Sequence, residues 1–394
     1  MRKPILIDVS LTGGRGPAKK ALELTSDLAL EGIPYQILTD KGFCTKLNDV
    51  GISPDYIINT NLGQSPTRII KSFYKEIKEI NFSFMVRLGA RVPGPIAARK
   101  LGKPYIIADG GLPDYLSDKE DLYERKTFEK ACKYLVTTQF NWKYPKRTGL
   151  DNIDVCGYPI SIRSFNVIKK LKIKKKIEIL KSASSNLKGQ LPTSENSLLI
   201  NLVMTGDYLN ANNRVTYGAW LTTRQYDQCI GFIRRLFTDL GENTNENEFL
   251  FMDKEISRVV IDLQQKYKNI SVITYKRNWD FTTELYMKAA ADVTISRATN
   301  YQPYIAALER GCNITTPVPA DGYMDEDSAA LQYSGNGYTK LIPYDDEKYV
   351  FKLLEFVKNK EEQNRITKNL KNNNFLYEKN LNKIIVDYWK QISE

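Results

Sequence analysis

The sequence predicts an α/β protein built from two doubly wound, Rossmann-like domains in tandem. The chain has 394 residues, 42% of them hydrophobic and 26% charged, which fits two or three globular domains. Short apolar runs alternate with segments of helical spacing, a pattern that indicates a parallel sheet covered by helices. The alternation stops near residue 155 and restarts near residue 197, so it predicts two sheets. Because ligands bind outside the carboxyl ends of such strands, we expect the two domains to face each other across a cleft.

The first half of the chain alternates in the order expected of one such domain. In the segment Pro17–Glu31, for example, Ala21, Leu24 and Leu28 recur at helical spacing, and Gly32 ends the helix. The predicted strands are 4–9, 35–38, 84–88, 105–108 and 134–137, and the predicted helices are 17–31, 93–101 and 120–132.

The second half opens with Ser197–Met204, SLLINLVM, a nearly continuous apolar run that suits a strand covered on both faces. The same alternation then continues to the end of the chain. The predicted strands are 197–204, 248–252, 270–275, 293–296, 313–316 and 338–342, and the predicted helices are 228–240, 254–267, 282–291, 303–310 and 377–392.

The predicted organisation is a domain over 1–158, a lysine-rich linker over 159–190, a domain over 191–375 and a C-terminal helix over 376–394. The helix is expected to pack back on the first domain. The net charge is +11, and the linker holds 9 Lys and Arg against 1 Glu. Such a segment can contact phosphates, in lipid headgroups or in nucleic acid. The alternative is a solvated amphipathic helix, and both interpretations stay open.

The composition excludes several kinds of chemistry. There is no histidine, so Ser-His-Asp and Cys-His systems, histidine-bound zinc and a histidine base are excluded. The 5 cysteines form no C-x-x-C pair, so neither a zinc site nor a disulfide framework is predicted. No apolar run reaches the length of a membrane-spanning helix, and the apolar run near the N-terminus is too short for a signal peptide. We therefore expect a cytoplasmic protein, with peripheral membrane contact through 159–190 as an open alternative.

Two glycine-containing loops follow strands of the first domain. The loop 11–17, LTGGRGP, precedes a helix whose first N–H groups can hold a phosphate or an oxyanion. Arg15 within it can stabilise negative charge, whereas a tight strand-to-helix turn is the alternative. The second loop begins with Asp109-Gly110-Gly111. Asp109 is a candidate general base for an acceptor hydroxyl. Asp114 is the alternative base, and an Asx turn is the structural interpretation of Asp109.

Three loops of the second domain carry polar groups at strand ends. Thr205-Gly206-Asp207 is the positional counterpart of the first loop. Ser296-Arg297-Ala298-Thr299-Asn300 suits a diphosphate, with an ordinary helix cap beside a surface arginine as the alternative. The loop 317–328, PVPADGYMDEDS, offers Asp325 and Glu326 to sugar hydroxyls. Its D-x-D triplet is also a possible metal ligand set or an exposed acidic loop, and we predict no metal site.

In this order, the loops resemble those of the B-type (GT-B) nucleotide-sugar glycosyltransferase superfamily. The nearest resemblance is to the peptidoglycan UDP-N-acetylglucosamine transferases (MurG-like), whose acceptor is a lipid-linked muramyl peptide. The T-G-G-H loop of that family is matched by 12–15, its acidic residue by Asp109 and its V-x-G-N-P turn by 155–159. Its A-D-V-V-x-x-R-x-G segment is matched by 291–299, and its donor-sugar loop by 317–331.

The resemblance implies an enzyme, a hexosyl- or pentosyltransferase, that uses a nucleoside-diphosphate sugar as donor and binds the acceptor with its first domain. A UDP-linked donor would bind mainly within 200–330, inversion at the anomeric carbon is expected, and neither a metal nor a permanently bound cofactor is needed. The expected catalytic residues are Asp109, Arg15 and Asp114. The expected donor-contacting residues are Gly13, Gly14, Thr205, Gly206, Arg277, Ser296, Arg297, Thr299, Asn300, Glu309, Asp325 and Glu326.

The chain also departs from the family pattern. Arg15 replaces a histidine, and Ala306 stands where a ribose-binding glutamate belongs, with Glu309 one turn further along. Two alternatives therefore stay open: a DNA-modifying transferase acting on a hydroxymethylated base, and a non-catalytic nucleotide-sugar or polyanion-binding protein on the same scaffold. A sugar epimerase is disfavoured because the histidines expected there are absent. The sugar, the acceptor (membrane lipid, DNA or a small molecule) and the oligomeric state are left open.

Overall fold

A computed structural model describes most of the chain, which divides into two compact units. The first contains Met1–Ser164 and Asn374–Glu394, and the second contains most of Phe165–Asn373. The described residues are 2–11, 16–60, 64–89, 92–109, 122–137, 150–157, 159–204, 223–244, 246–252, 257–276, 281–297, 312–317, 330–331, 334–371 and 380–393.

The first unit is a seven-stranded parallel sheet with the order β3-β2-β1-β4-β5-β6-β7. Its strands are β1 Ile5–Asp8, β2 Tyr35–Asp40, β3 Tyr56–Ile58, β4 Met85–Leu88, β5 Tyr105–Asp109, β6 Lys133–Thr137 and β7 Ile153–Cys156. Its helices are α1 Gly16–Leu30, α2 Cys44–Asp49, α3 Pro66–Glu79, α4 Pro93–Lys100 and α5 Leu122–Glu129.

The core of the first unit lies where the apolar stripes of the helices meet the sheet. Phe73 and Ile77 of α3 are completely buried, and they belong to the same cluster as Met85 of β4 and Tyr134 of β6. All four residues of β1 and all four of β4 are buried, as expected of central strands in a parallel sheet.

The C-terminal helix α13 (Leu381–Ser393) belongs to the first unit and packs on α1. Asn382 donates one hydrogen bond to the carboxylate of Asp27 (2.8 Å) and another to the backbone oxygen of Glu23 (3.0 Å). Ile385 and Trp389 of α13 are buried. The end of the sequence is therefore tied to the first helix.

Helix α6 (Ile162–Lys172) begins at the boundary between the units, and α7 (Lys176–Ala183) follows it. Two carboxylates of α1 accept hydrogen bonds from the start of α6: Glu23 from the Ser161 N–H (2.7 Å) and Asp27 from the Ile162 N–H (2.9 Å). These acceptors satisfy N–H groups that have no partner within the helix.

The second unit has a seven-stranded sheet with the order β14-β13-β12-β9-β10-β11-β8, parallel except for the pairing of β8 with β11. Its strands are β8 Leu187–Lys188, β9 Leu199–Val203, β10 Glu248–Phe251, β11 Ile270–Tyr275, β12 Val293–Ser296, β13 Cys312–Thr315 and β14 Lys340–Leu341. Its further helices are α8 Thr223–Asn243, α9 Ile261–Lys266, α10 Phe281–Ala290, α11 Tyr349–Lys358 and α12 Lys360–Lys371.

The predicted α/β class with two Rossmann-like sheets is confirmed. Within it, β3, β7, β8, α2 and α3 were not predicted. A single helix was predicted over 254–267; its described part holds a 3-10 turn, Arg258–Val260, followed by α9, and the β-branched run that joins these two pieces favours such a break. The helix predicted over 303–310 lies outside the described residues. None of the described helices is long and apolar enough to cross a membrane.

Candidate functional site

Each sheet has one place where the strand order reverses. In the first unit the reversal lies between β1 and β4, and in the second it lies between β9 and β12. In open α/β sheets, ligands bind at the carboxyl ends of the strands beside this reversal. Some of the predicted residues adjoin these strands: the loop 12–15 follows β1, Thr205 and Gly206 follow β9, and Ser296 and Arg297 lie at the end of β12. These strand ends therefore define two candidate sites, one in each unit.

A completely buried ion pair joins the two strands at the reversal of the first sheet. Arg87 of β4 donates from Nη1 to Asp8 Oδ1 of β1 (3.0 Å) and to the hydroxyl oxygen of Ser10 (3.2 Å). The Ser10 hydroxyl in turn donates to Asp8 Oδ1. Burial raises the pKa of Asp8, while the charge of Arg87 and the hydrogen bonds from Ser10 oppose that rise. The pair thus fixes the end of β1 against β4.

The Asp8–Arg87 pair is only partly satisfied. Among the residues that the structure describes, Asp8 Oδ2 and Arg87 Nε and Nη2 find no hydrogen-bond partner, although neither side chain is exposed. Leaving a buried polar atom without a partner costs about 1–3 kcal/mol. Gly94, in the first turn of α4, lies against the same carboxylate, and a Cβ at this position would be 2.1 Å from Asp8 Oδ2. A glycine is therefore required for α4 to approach the pair this closely.

A carboxylate at the end of β2 fixes the backbone that leads into the predicted loop 12–15. Asp40, at the end of β2, accepts a hydrogen bond from the Leu11 N–H (2.5 Å) and another from the Gly42 N–H (2.8 Å). Leu11 itself is buried and has a φ of 47°, a left-handed conformation that costs a residue with a side chain about 1–2 kcal/mol. Strain of this kind persists where the surroundings determine the conformation, and it is common at functional sites.

Asp109, the predicted base, is the last residue of β5, two strands from β1. Its backbone is in register with Val136 of β6. The preceding residue, Ala108, accepts a hydrogen bond from the Gly89 N–H (3.0 Å), and Gly89 has a φ of 141°. The backbone of Asp109 therefore lies at the carboxyl edge of the first sheet. Its side chain is outside the described residues, so its role as a base stays a prediction.

The reversal in the second sheet is also lined by buried polar residues. Asn201 of β9 donates to the hydroxyl of Thr294 of β12 (3.2 Å). Ser296, at the end of β12, donates its hydroxyl to Asn313 Oδ1 of β13 (2.7 Å), and Asn313 Nδ2 donates to Thr339 (3.3 Å). All five residues are buried, so the hydrogen bonds run inside the sheet.

Two of the predicted phosphate-binding residues, Ser296 and Arg297, are described. The Ser296 side chain has no exposed surface and its hydroxyl is used by Asn313, whereas Arg297 is 7% exposed. Ser296 is in register with Val203 of β9, which puts Arg297 beside Met204, the residue before Thr205. The structure thus brings Arg297 to the strand end that leads into the predicted Thr205–Gly206 loop.

Most of the other predicted site residues lie outside the described part of the chain and stay predictions. They are Gly13, Gly14, Arg15, Asp114, Thr205, Gly206, Arg277, Thr299, Asn300, Glu309, Asp325 and Glu326. Among the residues that are described, no three Cys, Asp or Glu side chains cluster in a way that could hold a metal ion.

Asp8, Arg87 and Asp40 were not predicted as site residues. Their signal was present, because charged residues interrupt the apolar runs ILID, YQILTD and MVRL. Such residues are almost never fully buried unless they are paired. Three charges within strands of one parallel sheet therefore indicated a buried polar cluster, although not which residue pairs with which.

No protein-family model and no curated protein matches the sequence, whereas solved structures match over the whole chain. A UDP-GlcNAc 2-epimerase from Neisseria meningitidis, bound to UDP-GlcNAc, matches with a TM-score of 0.63 and 15% identity over 98% of this chain and 100% of its own. Acinetobacter baumannii MurG matches with a TM-score of 0.57 and 16% identity over 99% of both chains.

A third match is a glycosyltransferase from Rickettsia africae, with a TM-score of 0.63 and 12% identity over 100% of this chain and 99% of its own. These structures share the GT-B fold, so the fold that the motifs predicted is confirmed, with MurG among the matches. Identities this low establish the fold alone, because one fold carries many activities.

Proposed function

We propose that this GT-B protein transfers a sugar from a nucleoside diphosphate, with a UDP-sugar as the expected donor, to an acceptor hydroxyl or amine. The observation that carries the proposal is the register at the second strand reversal, which brings Arg297 beside the start of the Thr205–Gly206 loop. A guanidinium and a glycine loop at neighbouring strand ends provide charge and N–H donors for a diphosphate. The structural matches to proteins that bind UDP-GlcNAc or UDP support the same ligand class.

In the proposed reaction, the donor contacts the second unit and the acceptor contacts the first. Arg297 and the N–H groups of the Thr205–Gly206 loop stabilise the charge that develops on the departing diphosphate. Asp325 and Glu326 bind the sugar hydroxyls, and Arg277 binds near the nucleobase of the donor. Asp109 accepts the proton of the acceptor as its oxygen or nitrogen attacks the anomeric carbon, and Arg15 with Gly13 and Gly14 orients the acceptor. A single displacement of this kind inverts the anomeric configuration.

Donor binding is tested first, by thermal shift against a panel of nucleoside-diphosphate sugars, because a ligand that binds the native state raises its melting temperature. We expect a UDP-sugar to give the largest shift, and Arg297→Gln to remove most of it. Equal shifts for wild type and Arg297→Gln would contradict the proposed phosphate contact.

Catalysis is tested with Asp109→Asn, which keeps the size of the side chain and removes the base. We expect kcat to fall at least about 100-fold, the usual contribution of a general base, with little change in the donor thermal shift. Asp151→Asn removes an exposed carboxylate of the same unit and is the matched control. If Asp109→Asn retained turnover within about threefold of wild type, Asp109 would not be the base.

The acceptor is proposed to be anionic, because the first 190 residues carry the positive charge of the chain. Release of UDP in the presence of a polyprenyl-diphosphate lipid, duplex DNA with hydroxymethylated bases, or neutral small hydroxyl compounds separates the three acceptor classes. Slow UDP release without any acceptor would argue against a non-catalytic binding protein.

The structural matches to UDP-GlcNAc 2-epimerases make epimerisation the second candidate. The two reactions are separated by incubating the protein with UDP-GlcNAc in D₂O without an acceptor and following the sugar by NMR. An epimerase returns a UDP-sugar that is inverted at C2 and carries deuterium there, whereas a transferase leaves C2 unchanged. C2 exchange in this experiment would replace the proposed transfer with epimerisation.

A further inference from the structure

Helix α6 presents one face to solvent and one face to the protein. Ser164, Ile168 and Leu171 are buried, whereas Arg163 and Lys169 are exposed. With 3.6 residues per turn, the exposed positions 162, 166, 169 and 173 fall on a single stripe that continues past the last residue of the helix. The buried face fixes the orientation of the helix, so this stripe is held outward.

The stripe begins and ends with isoleucine. Ile162 is 50% exposed and Ile173, in the turn after α6, is 87% exposed, the highest value among the exposed large hydrophobic residues of the described chain. A single exposed aliphatic residue is ordinary on a protein surface. Two isoleucines at the two ends of one exposed stripe, with exposed cations on and beside it, are a more specific arrangement, because they put apolar side chains among charged ones.

The exposed cations near the two isoleucines have no anionic partner among the described residues. Arg163, Lys169, Lys170, Lys174 and Lys175 are exposed. Within the described part of the chain, none of the five takes part in an ion pair, whereas neighbouring Lys176 is buried and bonded to Asp292 (2.5 Å). Ion pairing among the described residues therefore does not neutralise these side chains, and their charge is available to an anionic partner.

We propose that the outer stripe of α6 and the turn after it dock on an anionic lipid bilayer. Ile162 and Ile173 enter the interface between headgroups and acyl chains, and the surrounding cations contact the headgroups. Basic helices with an apolar component bind membrane surfaces in this way. A nucleic acid would contact the cations but would leave the two isoleucines in water. The combination of cations and exposed isoleucines therefore favours a lipid surface. The proposal goes beyond sugar transfer and does not depend on it.

The test is sedimentation of the full-length protein with vesicles that contain phosphatidylserine, compared with vesicles of phosphatidylcholine alone. We expect binding to the first, with loss at high salt, and little binding to the second. Each lysine near an anionic surface contributes about fivefold to affinity, so Lys170→Gln/Lys174→Gln should bind about 25-fold more weakly. Ile173→Ser should bind about tenfold more weakly, because an inserted isoleucine is lost.

Matched controls are Lys358→Gln and Ile261→Ser, which change an exposed lysine and an isoleucine that is 59% exposed, both elsewhere on the second unit. They should bind vesicles as wild type does, and all variants should keep the wild-type melting temperature and donor thermal shift. No binding to phosphatidylserine vesicles, or loss in the controls equal to that in Lys170→Gln/Lys174→Gln and Ile173→Ser, would overturn the proposal. Duplex-DNA binding that the lysine variant loses and Ile173→Ser keeps, without vesicle binding, would assign the stripe to nucleic acid instead.

Discussion

Replacing Glu23 by glutamine should remove a large part of the pH dependence of stability of the first unit. Glu23 is 2% exposed in α1, and its carboxylate accepts the Ser161 N–H at the start of α6. Burial raises the pKa of this carboxyl from its ordinary 4.5 to about 7, although hydrogen bonds from Ser161 and Ser164 favour the ionised form. The native state therefore holds a proton over a pH range in which the unfolded chain has released it.

The direction and the size of the change in stability with pH follow from the difference between the native and unfolded pKa of Glu23. Because the native pKa is the higher one, the stabilisation from the bound proton is complete below about pH 4.5 and is lost as the pH rises to about 7. Each pKa unit corresponds to about 1.4 kcal/mol, so the loss is about 3 kcal/mol. Asp27, one turn further along α1, adds in the same direction, since burial also raises its pKa. Glutamine is neutral at every pH and can still accept the Ser161 N–H.

The assay is calorimetric melting of the full chain between about pH 5 and pH 8. For a unit of this size, 1 kcal/mol shifts Tm by about 2–4 °C, so wild type should lose about 6 °C or more across this range relative to Glu23→Gln. Glu79→Gln removes an exposed carboxylate of the same unit and should follow wild type. A Glu23→Gln variant that lost as much Tm as wild type would show that Glu23 is already ionised in the native state.

Two further predictions concern glycines. Gly94→Ala would put a Cβ 2.1 Å from Asp8 Oδ2. We expect the free energy of unfolding to fall by about 1–3 kcal/mol from overpacking, measured by melting, and turnover to fall in a sugar-transfer assay. An unchanged Tm would contradict the close packing. In α8, Gly241→Ala would put a Cβ 2.4 Å from Tyr267 Cγ, whereas Gly231→Ala on the same helix meets no atom within 4 Å. We expect Gly241→Ala to destabilise by about 1–3 kcal/mol and Gly231→Ala to stabilise by up to about 1 kcal/mol, and equal Tm values for the two variants would be inconsistent with this difference.

The strands of the fold were predictable where short runs rich in β-branched residues stand out in the sequence. The strands predicted over 270–275 (ISVITY) and 293–296 (VTIS) have the observed bounds of β11 and β12, since β-branched residues favour the extended backbone of a strand. The edge strand β3 was not predicted. It has only three residues, and one of them, Ile57, is 52% exposed, so its hydrophobic signal is short and incomplete.

The sequence predicts loops for the candidate site, and these stay predictions, but it did not predict the residues that support the strand ends. Glycines, hydroxyls and charges that follow a strand are visible in the sequence, and Arg297 is placed at a strand end as expected. The Asp8–Arg87 pair joins residues 79 positions apart, and a pattern along one chain does not indicate which distant residues meet. The hydrogen bond from the Ser296 hydroxyl to Asn313 was not predictable for the same reason, because it depends on the pairing of β12 with β13.

Buried polar residues lie on all four strands that flank the reversals of strand order, as they also do on β2 and β13. Asp8 and Arg87 lie on β1 and β4, and Asn201 and Thr294 lie on β9 and β12. Apolar residues at these positions would suit strands covered on both faces, and replacing a buried ion pair by apolar residues is often neutral or stabilising. Stability alone therefore does not account for these side chains. They hold neighbouring strand ends in a fixed register, and it is from these ends that the loops predicted to bind the donor and the acceptor begin.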